Sequence, residues 1–425
     1  MGLTTAWALR ERGESVTLLE ARDGVALETS FANGGMFTPS MPEPWNSPGV
    51  SRYLAASLFD PRSSMKLRLR AVPSLFTWGI RFLRHSSRAH YEAACADNYS
   101  LACYSLQKTR EVTDRLGLEY CRGAEGTLSV FRSAEDFAAK EAVCRHLAGL
   151  GMRYDVLGVD AIVARVPVLA DIRGEIHSGI LYPDDEYGDA HLFCRALASR
   201  FLEAGGAIEF GAFVSRVRGE GGRVVGVATA GGDIDAGRVV VAAGTSSPAL
   251  LAPHGVRLPV KPVKGYSVTV DVAGIDGVPT LPVLDDSMHA GMTPLGDRLR
   301  MVGTAEFAGF DTRINTVRTD NLYAMFEAML PAIAAQVDRA RATPWAGLRP
   351  MSYDGKPFIG STAVDGLYVN CGQGHLGWTM AMGSAHLLAD LMEARQPDVP
   401  ADAFALGRPR ERSGSASTAS GNAGA

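Results

Sequence analysis

The stretch that decides the fold is GLTTAWALRERGESVTLLE at residues 2–20. Apolar residues recur at helical spacing over residues 2–12, which predicts a helix that ends at Gly13. Residues 15–20, SVTLLE, predict a short strand that ends in an acidic residue. A helix that leads into such a strand is the second half of a βαβ dinucleotide-binding unit.

Two residues of this stretch have the spacing of a nucleotide site. In a βαβ unit, one glycine lets the helix pack closely on the strand, and an acid roughly 20 residues beyond the first glycine holds a ribose hydroxyl. Gly2 and Glu20 are placed for these two roles. The first strand and the first two glycines of G-x-G-x-x-G have no counterpart, because the chain enters at the third glycine. On these two residues alone, an ordinary amphipathic helix followed by a strand is an equal alternative.

Two further glycine-rich turns follow apolar strands. VVVAAGTSS at 239–247 is a strand that runs into Gly244, and VDGLYVNCGQGHLGWTMAMGSA at 364–385 is a strand, a glycine-rich loop and a helix. The N-terminus of a helix carries free N–H groups and about half a positive charge, which favours an anionic ligand group. One such turn is typically structural, but three in this order favour a nucleotide cofactor.

The composition excludes several classes of protein. The 425 residues, enough for about two or three domains, include 42 Lys and Arg against 46 Asp and Glu. The resulting net charge of −4 argues against a nucleic-acid binder, which would carry a basic surface. No run of about 18 apolar residues occurs, so no transmembrane helix is expected. The 6 Cys form no CxxC pair, so we expect free thiols in the cytoplasm and no metal site.

Six segments together resemble one known family, and they cover nearly the whole chain in that family's order and spacing. They are ETSFANGG (28–35), GAEGTLSVFR (123–132), GILYPDDEYGDAHLF (179–193), KGYSVT (264–269), AGLRPMSYDGKPFIG (346–360) and NCGQGHLGWTMAMGSA (370–385). They closely resemble the bacterial FAD-dependent D-amino acid dehydrogenases, of the D-amino acid oxidase superfamily. The resemblance implies an α/β fold (α+β mixed), in which a Rossmann-like FAD-binding domain is interleaved with a substrate domain built on a mixed, largely antiparallel sheet.

The resemblance also implies how the chain is divided between these two domains. The FAD-binding domain is expected to be assembled from residues 1–50, 190–250 and 345–407, and the substrate domain from residues 51–189 and 251–344. Residues 408–425 have no core-forming pattern and are expected to be disordered.

The activity that the resemblance implies is oxidative deamination of D-amino acids such as D-alanine to 2-oxo acids and ammonia. A hydride is expected to pass to flavin N5, and the electrons then to a respiratory quinone-type acceptor. D-proline, D-hydroxyproline, sarcosine and glycine are alternative substrates, because they differ from D-alanine only in the pocket shape that they need. The incomplete glycine motif leaves a further alternative, a flavin-poor and inactive protein that results from truncation or from a start placed too far downstream.

Three residues are candidates for the substrate site, with roles that the resemblance implies. Arg349, in GLRP, matches the superfamily arginine that pairs with the substrate carboxylate, and a guanidinium suits a carboxylate bidentately; an ordinary salt bridge is the alternative. Tyr266, in KGYS, is expected to bond the carboxylate or to form a pocket wall, with a buried strand tyrosine as the alternative. His375 is expected near the flavin ring, where it touches substrate or flavin or simply caps the helix. Hydride transfer from a neutral amine needs no dedicated base, so none is named.

The resemblance implies a larger set of FAD-binding residues. Glu20 is expected to hold the adenosine ribose, the backbone of Val214 to face adenine, and Gly244 to approach the ribityl or pyrophosphate region. The loop at 28–35 is expected to line the pyrophosphate and flavin, and the turn at 372–379 to surround the flavin pyrimidine edge. The full set is Gly2, Glu20, Arg22, Ser30, Asn33, Gly34, Gly35, Val214, Ala243, Gly244, Gly372, Gly374, Leu376, Gly377 and Thr379.

The segment 51–90 is basic and aromatic, with many Arg and Lys residues and a single acid, Asp60. One interpretation is a set of helices that pack on the substrate domain and expose their arginines to water. The other is a peripheral contact with the inner face of the plasma membrane, because basic residues among Trp, Phe and Leu are typical of interfacial helices. An enzyme that passes electrons to a quinone has reason to lie there.

Overall fold

The computed structural model describes residues 1–57 and 65–408 of the protein. Residues 58–64, within the basic and aromatic segment, and residues 409–425, which make up almost all of the predicted disordered tail, lie outside this part. The helices are α1 (Gly2–Glu11), α2 (Val50–Ser57), α3 (Val72–Arg84), α4 (Arg88–Leu116), α5 (Ala134–Ala148), α6 (Val159–Arg165), α7 (Ala190–Glu203), α8 (Ser247–Leu251), α9 (Thr316–Met329), α10 (Pro331–Ala334) and α11 (Ala381–Met392).

The strands are mostly short. They are β1 (Thr17–Leu19), β2 (Met36–Phe37), β3 (Met65–Leu67), β4 (Thr127–Phe131), β5 (Asp155–Leu157), β6 (Ser178–Tyr182), β7 (Glu186–Tyr187), β8 (Ala207–Glu209), β9 (Val214–Glu220), β10 (Arg223–Thr229), β11 (Gly232–Asp235), β12 (Val239–Val241), β13 (Val260–Asp271), β14 (Val283–Asp285), β15 (Ala290–Leu295), β16 (Arg298–Phe307), β17 (Thr343–Ser352), β18 (Phe358–Ser361) and β19 (Leu367–Cys371).

A 9-stranded sheet forms the larger layer of the fold. Its strands run in the order β17-β13-β16-β15-β14-β4-β6-β5, and β3 also pairs with β16. The β14–β4 and β16–β3 pairs are parallel, and the other neighbours are antiparallel. Most residues of β13, which lies between β17 and β16, are buried. The expected mixed, largely antiparallel sheet is thereby confirmed.

The second layer has the parallel pairs that the opening stretch predicts. β1 pairs in parallel with β8, and β12 in parallel with β19. Helix α1 packs on α7 and α11. A Cβ added to Gly2 would lie 3.4 Å from Leu18 Cδ1, so the helix and its following strand are in close contact. These features confirm the predicted helix–strand half-unit.

Helix α11 is held in place by the long helix α4. The side chain of Ser87 accepts a hydrogen bond from His90 N at the start of α4, and Gly117, with φ of 61°, ends it. A Cβ added to Gly383 on α11 would lie 2.7 Å from Ser105 Cβ on α4. Because only a glycine permits this close approach, α4 determines where α11 and the turn before it lie.

Strand β17 carries Arg349. It lies at the edge of the 9-stranded sheet and pairs only with β13 among the described strands. The expected domain boundary between residues 344 and 345 therefore falls inside a strand. The division into two discontinuous domains otherwise stays a prediction.

Candidate active site

One cavity of about 2020 Å³ collects the residues that the sequence singled out. Of the three substrate-site and fifteen FAD-site candidates, all but Gly372 line it. The lining comes from several strands of the 9-stranded sheet, from the parallel pairs and from the loops between them. Residues from distant parts of the chain thus face a common space, large enough for a dinucleotide cofactor and a small substrate together.

Glu20 lines this cavity and follows β1 directly. Arg22 N donates to Glu20 Oε1 at 2.9 Å, and the Arg22 side chain pairs with Glu28. Ala212 N donates to the Glu20 carbonyl oxygen at 2.9 Å, which brings Val214, two residues further on, beside Glu20. The predicted ribose and adenine positions are therefore adjacent in space.

The loop at 28–35 is tied to the 9-stranded sheet through its carbonyl groups. Ser267 Oγ donates to the Ala32 carbonyl at 2.7 Å, and Thr293 Oγ1 donates to the Gly34 carbonyl at 2.7 Å. Gly35 has φ of 71°, and a Cβ there would lie 3.3 Å from the Gly188 carbonyl oxygen. Phe31 N and Gly35 N donate within the loop, to the Glu28 carbonyl and to Asn33 Oδ1. Any N–H groups offered to an anionic ligand therefore come from the other residues of the loop.

The two later glycine turns lie side by side, because β12 and β19 are neighbouring parallel strands. Cys371 Sγ donates to the Gly244 carbonyl at 3.2 Å, which joins the two turns directly. Ala243, Gly244, Gly374, Leu376, Gly377 and Thr379 all line the cavity.

Gly372 differs in position from the other candidates of its turn. It is absent from the residues that line the cavity, and a Cβ there would lie 3.1 Å from Phe358 Cδ2. Its φ of 89° is one that favours glycine. Gly372 therefore packs against the neighbouring strand, and the residues on both sides of it, Cys371 and Gln373, line the cavity.

Two buried polar atoms near the cavity fit the binding of a polar cofactor. Gln373 and Trp378 line the cavity. Within residues 1–57 and 65–408, Gln373 Oε1 and Trp378 Nε1 have no hydrogen-bond partner. Buried polar atoms in native proteins are nearly always paired, so orphaned atoms beside a large cavity indicate that a bound group completes the site.

Arg349 also lines the cavity. It is half-buried on β17, and loss of hydration lowers the pKa of its guanidinium to about 10. No described residue forms an ion pair or a hydrogen bond with this side chain. The guanidinium instead packs over Gly265, where a Cβ would lie 2.5 Å from Arg349 Cζ. The predicted alternative of an ordinary salt bridge is therefore absent from the described part of the chain.

Trp45 joins Arg349 to His375. Arg349 Cζ lies 5.3 Å from the centroid of the Trp45 ring, and the His375 ring stacks on the same tryptophan at 5.3 Å with an interplanar angle of 23°. The backbone carbonyl of Glu43 hydrogen-bonds the imidazole of His375. Burial and the nearby cationic Arg349 lower the pKa of His375 to about 3, so the imidazole is neutral at physiological pH.

Tyr266 lines the cavity, but its hydroxyl is occupied. Tyr266 Oη donates to Glu306 Oε2 at 2.6 Å, and Lys264 Nζ lies 3.2 Å from the same oxygen. Arg68 pairs with the other carboxylate oxygen of Glu306. Tyr266 is 1% exposed. This arrangement favours a pocket wall or a buried strand tyrosine over a hydrogen bond to substrate.

Sequence reasoning missed Trp45 and Gly265, although both touch Arg349. Trp45 lies in the proline-rich stretch MFTPSMPEPWNSPGV at 36–50, which predicted an irregular chain and nothing more. A lone tryptophan among prolines was the available indication of a fixed apolar contact. Gly265, in KGYS, was read only as the neighbour of a tyrosine.

Two other features of the described ranges bear on function. Within these ranges, no three His, Cys, Asp or Glu side chains are grouped as metal ligands would be, and all 6 cysteines are free thiols. None of the helices in residues 1–57 and 65–408 combines the length and the apolar character that crossing a bilayer requires.

Solved structures share this fold. The L-proline dehydrogenase of P. horikoshii aligns with a TM-score of 0.75 at 18% identity, covering 96% of this chain and 94% of that one. The glycine oxidase of Geobacillus kaustophilus aligns with a TM-score of 0.74 at 22% identity, covering 96% of each chain. At these identities the likeness shows the fold alone.

Sequence comparison establishes the family. The D-amino acid dehydrogenase of Methylobacterium sp. (strain 4-46) is 38% identical over 411 residues, covering 96% of this chain and 97% of the relative. That of Bradyrhizobium diazoefficiens is 35% identical over 414 residues, covering 97% and 98%. A family model described as FAD dependent oxidoreductase, DAO, matches residues 1–391. The resemblance read from the sequence is confirmed, and this chain belongs to the DAO family of FAD-dependent oxidoreductases.

Proposed function

We propose that the protein deaminates free D-amino acids oxidatively, with FAD, to 2-oxo acids and ammonia. The observation that carries this proposal is Arg349, a guanidinium without a partner among the described residues, in the cavity that also collects the cofactor-site candidates. A carboxylate is the natural partner for such a group, because it accepts two parallel hydrogen bonds from the guanidinium fork. Relatives at up to 38% identity that are named D-amino acid dehydrogenase support the choice of substrate.

We propose that the cofactor lies along the cavity from Glu20 to the turn at 374–379. When bound, FAD supplies the acceptor for the hydride that leaves the substrate Cα. Glu20 would hold the ribose, and the loop at 28–35 would offer backbone N–H groups to the pyrophosphate. Ala243 and Gly244 would approach the middle of the cofactor, where the positive φ of Gly244 brings backbone close. The turn at 374–379 would border the flavin ring.

The residues around Arg349 orient the substrate rather than exchange its proton. The guanidinium binds the carboxylate and so restricts where Cα and the amine can lie. His375, with a pKa of about 3, is a poor proton acceptor at neutral pH. The amine is therefore expected to lose its proton to solvent before hydride transfer, which agrees with the expectation that no dedicated base is needed. Tyr266 acts as a wall of this pocket, since its hydroxyl is committed to Glu306.

Flavin reduction tests this function directly. D-alanine or L-alanine is mixed with the oxidised holoprotein in the absence of oxygen, and the flavin absorbance is followed. D-alanine should bleach the flavin and yield pyruvate and ammonia, and L-alanine should not. Arg349→Ala should lower kcat/KM about a hundredfold, because a charge-assisted pair is worth roughly 3 kcal/mol, and should leave the flavin content unchanged. Bleaching by neither enantiomer, or loss of FAD from the variant, would contradict the proposal.

We propose a quinone-type acceptor for the electrons, as in the sequence-based expectation. The resemblance to dehydrogenases supports this choice. Turnover of D-alanine under air, with and without a soluble quinone analogue, measures it: the analogue should raise the rate well above that with oxygen. Peroxide formed at a comparable rate would place the protein among oxidases instead.

We propose that helix α3 makes a peripheral membrane contact. Leu75, Trp78 and Phe82 of this helix are buried, yet Phe76, Ile80 and Leu83 are 63%, 39% and 46% exposed. The exposed three recur at i, i+4 and i+7 and so share one face of the helix. Arg81 and Arg84 are exposed beside them. Apolar residues on one face with arginines at its border are typical of a helix that lies at a membrane surface.

Sedimentation with vesicles tests the contact. The protein should sediment with vesicles of phosphatidylserine and phosphatidylcholine at low salt and be released at high salt, because the Debye length falls to about 3 Å near 1 M. A double variant, Phe76→Ser with Leu83→Ser, should no longer sediment. Leu202→Ser, which removes a 50% exposed leucine of α7, is the matched control. Equal sedimentation of all three proteins would favour the alternative in which α3 is only a packed helix.

A further inference from the structure

Packing contacts, rather than a charged partner, hold the guanidinium of Arg349 in place. No described residue forms a hydrogen bond or an ion pair with it, and arginine has a long, mobile side chain. Two contacts restrict the group instead. Gly265 lies directly beneath it, and the Trp45 ring lies beside it with Cζ 5.3 Å from the ring centroid. Packing can therefore hold the cation while its N–H donors stay available for a carboxylate.

Trp45 is itself firmly held. Its ring stacks on His375 and packs in an apolar cluster with Val263 and Met351. Both of these cluster residues belong to the strand pair that carries Arg349. The tryptophan thus has a fixed position relative to the strand on which the arginine lies.

The segment around Trp45 is anchored at several points. Ser40 Oγ donates to Asp185 Oδ2 at 2.6 Å, and Asn98 Nδ2 donates to the Pro42 carbonyl at 3.0 Å. The Glu43 carboxylate pairs with Lys140 of α5, and Asn46 Nδ2 donates to the His85 carbonyl at 2.7 Å. A segment so rich in proline also has few conformations to lose on folding. These anchors tie the irregular segment to the rest of the fold on both sides of Trp45, which lines the cavity.

We propose that Trp45 is the positioning residue that holds the Arg349 guanidinium in the orientation that binds the substrate carboxylate. This inference rests on the proposed function and adds a residue to it. An indole face attracts a cation, more strongly where water is excluded. A guanidinium already held in place gives up less freedom when the carboxylate binds, which favours binding. Trp45 therefore acts on substrate affinity, through Arg349, and not on the hydride transfer itself.

The experiment compares Trp45→Leu, Trp45→Phe and wild type as flavin-loaded proteins. For Trp45→Leu, we expect KM for D-alanine to rise about tenfold with kcat within threefold of wild type, since a desolvated cation–π contact of roughly 1 to 2 kcal/mol is lost. Trp45→Phe keeps an aromatic face and should raise KM only about threefold. Propionate, which has a carboxylate and no amine, is the binding probe, read from the change that it causes in the flavin absorbance. Its Kd should rise by the same factors as KM.

The pH dependence of propionate binding distinguishes positioning of Arg349 from a purely structural role of Trp45, because a purely structural role would leave this pH dependence unchanged. Loss of hydration lowers the pKa of Arg349 to about 10, and binding needs the charged guanidinium, so affinity in the wild type should fall as pH rises through about 10. Trp45→Leu admits water to the guanidinium, which raises this pKa. The alkaline limb should therefore move to higher pH in the leucine variant.

Trp78→Phe is the matched control. Trp78 belongs to the same apolar cluster as Trp45 but does not line the cavity, so the substitution should lower Tm and leave KM and the propionate Kd unchanged. Equal propionate binding in wild type and Trp45→Leu would overturn the inference, and so would an equal rise in KM in Trp78→Phe. If wild type binds propionate but oxidises no D-amino acid, the proposed function fails. The Trp45 inference would still be supported by weaker propionate binding in Trp45→Leu.

Discussion

Gly265→Ala should disable the carboxylate clamp without disturbing the fold. The added Cβ would lie 2.5 Å from Arg349 Cζ and 2.6 Å from Nη2, whereas ordinary contacts between such atoms are about 3.5 Å. The guanidinium must therefore move by about 1 Å. Gly265 is not among the residues with positive φ, so alanine adds no backbone strain, and the group that moves is the end of a flexible side chain. The free energy of unfolding should change little.

The effect on catalysis should be large, because a misplacement of 1 Å in a substrate-binding group can cost about a hundredfold in rate. We expect kcat/KM for D-alanine to fall about a hundredfold in Gly265→Ala, equivalent to roughly 2.7 kcal/mol. The assay is steady-state turnover with a soluble acceptor dye, together with flavin content and Tm. Gly158→Ala is the control, because a Cβ there meets nothing within 4 Å. A kcat/KM within threefold of wild type would refute the placement of Arg349 over Gly265.

Two further predictions concern buried side chains: Tyr266, which lines the cavity, and Asp185, which lies outside its lining. Tyr266→Phe should lower the free energy of unfolding by about 1 to 3 kcal/mol, because Glu306 loses a buried donor. KM for D-alanine should stay within threefold of wild type. A KM raised tenfold or more would indicate that the hydroxyl binds the substrate after all. Burial raises the pKa of Asp185 to about 7 in the folded protein. The contribution of Asp185 to the free energy of unfolding should therefore fall as pH rises from about 4 to 7 and then stay level. The free energy of unfolding of Asp185→Asn, measured by urea titration at several pH values, should therefore rise relative to that of wild type as pH increases from about 4 to 7. A difference independent of pH would contradict this.

Local chemistry made much of the fold predictable. The apolar spacing of residues 2–12 and the stop at Gly13 predicted α1, which ends at Glu11. The glycine turns indicated where strands end, because a positive φ favours glycine. Gly372 shows the limit of this reasoning: its conformation was predictable, but not the direction in which the turn faces.

The family, its cofactor and the choice of Arg349 as the clamp candidate were determined by the sequence, because they depend on short motifs whose residues are neighbours in the chain. Only the tertiary structure decided what each side chain meets. Tyr266 lies beside Glu306 because the register of β13 on β16 brings their strands together. Trp45 meets Arg349 because an irregular segment without periodicity packs against the strand pair β13–β17. Such contacts follow from the packing of segments distant in sequence, and no local pattern of residues encodes them.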